Sequence, residues 1–138
     1  MGDMYIPAST SKSVAEGFIN TPDVFTSYKE NLEEFVQTCK KHNIKAILIS
    51  EGCFLSGNSY MLLGEDMAIV YDKMYGIMEE VAKKNNVAFI DAAKLMDGIP
   101  DKKTLFTDGL HLTARGNETL SDIIYNGIMP VIQEGQAS

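Results

Sequence analysis

The sequence contains no tryptophan, two cysteines and two histidines. Neither Cys39 nor Cys53, with His42 and His111, belongs to a set of Cys and His at the repeated short spacings that build zinc or iron sites. No metal and no cofactor is therefore expected. Two free thiols are the simpler reading of the cysteine pair, and a disulfide stays open. Positive charge is also scarce. Twelve Lys and Arg face 19 Asp and Glu, a net charge of -7. Such a surface repels phosphates, so nucleic acid is not an expected partner. No apolar run reaches the roughly 18 residues of a membrane span. Met1 to Pro7 lacks the basic and apolar segments of a signal peptide, which leaves a cytoplasmic chain or one whose leader was removed. No glycine-rich phosphate loop follows an apolar strand, which disfavours a nucleotide-binding domain.

What remains is 138 residues with 45% apolar content, enough for one domain over 1–138, with 1–20 and 133–138 peripheral. Thr21-Pro22-Asp23 reads as a helix start, with Thr21 as cap and Pro22 in the first turn. Phe25, Tyr28, Leu32, Phe35, Val36 and Cys39 follow at helical spacing, and Asn43 can end the helix. Ile44 to Ser50 is nearly continuously apolar, as in a parallel strand covered on both faces. A loop runs from Glu51 to about Leu63. Gly64 opens a second helix with Met67, Val70, Tyr71, Met74, Ile77, Met78 and Val81 on one stripe. Val87 to Asp91 is a second buried strand, and Ala92 to Met96 one more helical turn. A last helix is expected from Ala114 to Ile132, with Leu120, Ile123, Ile124, Ile128, Val131 and Ile132 inward. Helices alternating with apolar strands define an α/β fold with a parallel sheet.

The chemistry concentrates in Asp108-Gly109-Leu110-His111. An Asp three residues before a His, in a glycine-containing turn, can accept the Nδ1 proton and leave Nε2 as a general base. The plainer reading is a helix start, with Asp108 or Thr113 as cap and His111 exposed by chance. In open α/β sheets the reacting groups sit beyond the carboxyl ends of the strands, and this turn follows the second strand. His42 is most simply an end-of-helix residue.

Four blocks together resemble the second half of the SGNH hydrolases, also called the GDSL esterase/lipase family. They are the helix stretch Tyr28 to Phe35, which begins Tyr28-Lys29-Glu30-Asn31-Leu32, the strand Lys45 to Ser50, the junction Val81 to Asp91, and Asp108-Gly109-Leu110-His111-Leu112 with Gly116. The resemblance implies a flavodoxin-like three-layer sandwich and a Ser-His-Asp hydrolase. His111 would be the general base and Asp108 its orienting carboxylate. The family's nucleophile belongs to a Gly-Asp-Ser motif, which this sequence does not contain; Gly2-Asp3 is followed by Met4. The nucleophile is therefore unknown. Ser56, Asn58 and Ser59 lie in the loop after the first strand, which lacks a G-x-S-x-G elbow; a plain glycine-rich loop is the simpler reading than attack, and the resemblance implies a substrate-binding role, since this loop lines the family's cleft. Ser50, at the strand end, is a weaker candidate still.

Two strands leave two open edges and little cover. The expected architecture is thus an SGNH-like sandwich lacking its N-terminal strands, completed by a second copy or by a complementing N-terminal segment. The expected function is acyl-ester hydrolysis of a small-molecule or carbohydrate ester, with O-deacetylation of carbohydrate as one form and this chain supplying the Asp-His pair. The alternative is a non-catalytic SGNH-like module for carbohydrate binding or assembly.

Overall fold

The computed structural model describes residues 16–51, 64–107 and 111–136. After a helical turn at 16–19, the chain forms α1 (Pro22–Lys41), β1 (Ile47–Ile49), α2 (Gly64–Asn85), β2 (Ala88–Ile90), α3 (Ala92–Asp97), a 3-10 turn (Lys102–Leu105) and α4 (Ala114–Gln136). The strands pair in parallel, Ile47 with Ala88, Leu48 with Phe89 and Ile49 with Ile90. They are shorter than the apolar runs that announce them.

Side chains alternate across a strand, so paired Leu48 and Phe89 share one face. That face is covered by α1 and α2, in a core of Val36, Leu48, Tyr75, Met78, Val81, Ala82 and Ala93. Lys29 to Glu80 and Lys84 to Glu33 ion pairs tie the two helices together, and Gln37 donates to Asn85 at 2.6 Å. Each helix stops at an asparagine with positive φ, Asn43 at 56° and Asn86 at 54°. A left-handed residue after a helix lets the chain turn sharply into the following strand, and asparagine tolerates that conformation.

The opposite face belongs to α4. A side chain at Gly127 would stand 2.5 Å from Ile90 Cδ1, so the helix backbone lies directly on β2. Further along, Lys45 Nζ donates to the Val131 carbonyl at 3.0 Å. The layers are therefore helix, sheet, helix, in the α/β class expected from the sequence.

Four local expectations are corrected. Thr21 makes no capping bond to the amides of α1; its hydroxyl donates backward to the Gly17 carbonyl at 2.7 Å. Phe35 is 52% exposed and Ile132 46%, because each lies at the margin of its helix's apolar stripe where no second layer reaches. The last helix continues to Gln136 and passes through Pro130, which supplies no amide donor to it. Cys39 is buried and free, while Cys53 lies outside the described residues.

Candidate active site

The direction of α4 locates its first turn. Gly127 meets Ile90 at the carboxyl end of β2, and Val131 meets Lys45 just before the amino end of β1. The helix thus runs against the strands. At 1.5 Å per residue its start lies about 20 Å before the Ile90 contact, on the carboxyl-end side of the sheet. His111 precedes that start by three residues and is exposed.

The backbone around His111 is a small hairpin. Phe106 and Leu112 form an antiparallel bridge. The Thr107 amide and hydroxyl both donate to the His111 carbonyl, at 2.8 and 3.1 Å. The Thr113 amide donates to the Leu105 carbonyl at 2.9 Å. Thr113 is also the cap of α4. Its hydroxyl accepts the Gly116 amide at 3.1 Å and donates to the Thr104 carbonyl at 2.7 Å. Arg115 Nη1 donates to the Thr104 hydroxyl at 2.8 Å. Gly116 is a packing requirement, since a Cβ there would fall 2.0 Å from the Leu105 carbonyl oxygen. Below the hairpin lies a compact apolar cluster of Met96, Leu105 and Phe106, with Ile99, Leu112, Leu120 and Ile123 against it.

Of the two capping candidates, Thr113 makes the bonds. Asp108, Ser56, Asn58 and Ser59 all lie outside the described residues. His111 and the weaker candidate Ser50 lie within them. The threonine braces at 104 and 107 carry no sequence signature of their own. The pair Thr113 and Gly116, a cap followed by glycine at its third helical position, was the available signal for the tight packing.

Ser50 has a structural task. It is 1% exposed at the end of β1, donates to Asp91 Oδ1 at 3.0 Å and accepts the Ala93 amide at 3.0 Å. Asp91 in turn caps α3 through the Lys94 amide at 3.1 Å. A buried hydroxyl with both bonding functions engaged is no free nucleophile. Beside it, the Tyr75 hydroxyl donates to the Glu51 carbonyl at 2.9 Å, holding the strand exit.

At the other end of the sheet lies a cleft of about 590 Å³ bordered by Lys40, Ile44, Lys45, Val87 and Glu134. It is far from His111. Among the described residues, no group of three His, Cys, Asp or Glu could hold a metal ion. No helix among them is long and apolar enough to cross a membrane.

The crystal structure of the lipase/acylhydrolase from Enterococcus faecalis resembles this fold with a TM-score of 0.61 and 24% sequence identity, over 75% of this chain and 51% of that one. The chain thus spans about half the length of that neighbour. No curated protein sequence matches the chain. A family model, described as the GDSL-like lipase/acylhydrolase family, matches residues 3–119. That match takes in both strands and the whole His111 hairpin, and the chain belongs to the GDSL-like lipase/acylhydrolase family.

Proposed function

We infer that this chain carries the acid-base part of an SGNH-type acyl-ester hydrolase. His111 takes the proton from a serine nucleophile and returns it to the leaving alcohol. Asp108 orients the imidazole through Nδ1 and stabilises the imidazolium that forms. Water then attacks the acyl-enzyme and releases the acid. Small acyl esters, including acetyl groups on carbohydrate, are the proposed substrates, and the serine belongs outside the motifs of this sequence. The observation that carries the reading is the braced hairpin presenting an exposed His111 on the carboxyl-end side of a parallel sheet, where the reactive groups of such sheets gather.

One observation favours a second reading. The sequence has no Gly-Asp-Ser, which suits a non-catalytic SGNH-like module for carbohydrate binding or assembly. Intact mass after treatment with a fluorophosphonate separates the two. Hydrolase function predicts a single adduct in the wild type, with labelling slowed by orders of magnitude in His111→Ala; peptide mapping then identifies the serine. Equal labelling of the two proteins sides with the non-catalytic module; no labelling of either puts the serine outside this chain and leaves it the acid-base half of the site. A native mass of the same sample reports whether a second copy completes the assembly.

A further inference from the structure

We propose that Thr107 and Thr113 are positioning residues for His111, and that their hydroxyls fix the direction of its imidazole. The proposal rests on the general-base reading of His111 and extends it to two side chains outside the Asp-x-x-His motif. The backbone of a residue sets where its Cα–Cβ bond points and which rotamers its side chain can take. Around His111 those dihedrals are held from both sides. On its own carbonyl sit two donors from Thr107, the amide at 2.8 Å and the hydroxyl at 3.1 Å. Two residues on, Thr113 is fixed through amide and hydroxyl together.

The two hydroxyls do different work. The Thr113 hydroxyl joins two elements at once, because it accepts from Gly116 in α4 and donates to Thr104 in the 3-10 turn. Without it the helix start keeps only the Thr113 amide bond to Leu105 and the Arg115 bond to the Thr104 hydroxyl. The Thr107 hydroxyl doubles an amide bond that already exists, so its loss loosens the turn without removing a helix cap. A merely capping role for Thr113 would leave His111 indifferent to Thr107. A shared positioning role makes both matter.

The test reads the imidazole directly and requires no substrate. Long-range ¹H–¹⁵N correlation distinguishes the two neutral tautomers of each histidine at about pH 8. The chain has two histidines, and His42, exposed at the end of α1, is the internal reference. The wild type is expected to show His111 held as the Nδ1–H tautomer. Thr113→Val and Thr107→Val, which keep shape but lose the hydroxyl, should give a mixed His111 signal with His42 unchanged. Thr113→Ser and Thr107→Ser should restore the wild-type signal. An unchanged His111 in both valine variants overturns the positioning role while leaving the general-base reading intact. Serine variants that behave like valine overturn the role of the hydroxyls. A wild type without the Nδ1–H tautomer overturns both the Asp108–His111 pairing and this extension of it. Should Thr113→Val fail to fold, Thr107→Val, which touches no cap, carries the same test.

Discussion

The two faces of the sheet are covered by different means. On the α1 and α2 side, large side chains interlock, and Val36 and Val81 are wholly buried. On the α4 side the helix backbone lies against β2 at Gly127 and against the 3-10 turn at Gly116, and most of its apolar residues are half-buried. Three helical glycines show the contrast. Gly76 in α2 has nothing within 4 Å of where a Cβ would stand, whereas Gly116 and Gly127 in α4 would strike Leu105 and Ile90. One side is held by volume and the other by proximity of backbones. The His111 hairpin sits at the start of the proximity-held helix, on the buried cluster of Met96, Leu105 and Phe106.

Substitutions can break that contrast in order of size. Gly116→Ala should be the most damaging, because the atom it strikes is a backbone oxygen that cannot step aside; about 3–4 kcal/mol of stability should disappear in denaturant unfolding. Leu48→Ala, in the side-chain core, should cost about 3 kcal/mol by leaving a cavity beneath α2. The other two glycines should then separate in sign. Gly76→Ala should stabilise by about 0.5–1 kcal/mol, through helix propensity alone. Gly127→Ala gains the same propensity but must displace the Ile90 side chain, for a net loss of about 1 kcal/mol. Equal effects at the two positions would contradict close packing of α4 on β2.

The smallest expected effect lies on the exposed surface of α2. A hydrogen bond from Lys83, with its positive charge, holds the Glu79 carboxyl below its ordinary pKa of 4.5. Because the folded value is the lower one, this pair adds stability at neutral pH and loses it as pH falls below 4.5. The Tm difference between wild type and Glu79→Gln should therefore be slight at pH 7 and vanish in acid.

Much of this fold was legible because its signals are local. Continuous apolar runs marked both strands, Asn43 marked the end of α1, and periodicity marked α2 from its glycine start. Phe35 and Ile132 misled because helical spacing gives the angle of a residue and not how far the neighbouring layer extends. The Thr21 error has a similar origin: a capping residue type was present, but its hydroxyl found the Gly17 carbonyl first. At the candidate site, Asp-x-x-His drew the eye to His111. The braces at Thr104 and Thr107 stayed hidden because they depend on a hairpin pairing, Phe106 with Leu112, that no periodicity announces. Ser50 could be demoted only once its hydroxyl was seen between Asp91 and Ala93.

The central claim is that His111 serves as the general base of ester hydrolysis, and one comparison addresses it most directly. Initial rates of p-nitrophenyl acetate hydrolysis should be measured for the wild type, His111→Ala and His42→Ala. Loss of the general base should lower kcat by about 10³-fold or more in His111→Ala, with thermal stability unchanged. His42→Ala should match the wild type, since that imidazole lies at the exposed end of α1. Equal rates in the wild type and His111→Ala would contradict the claim.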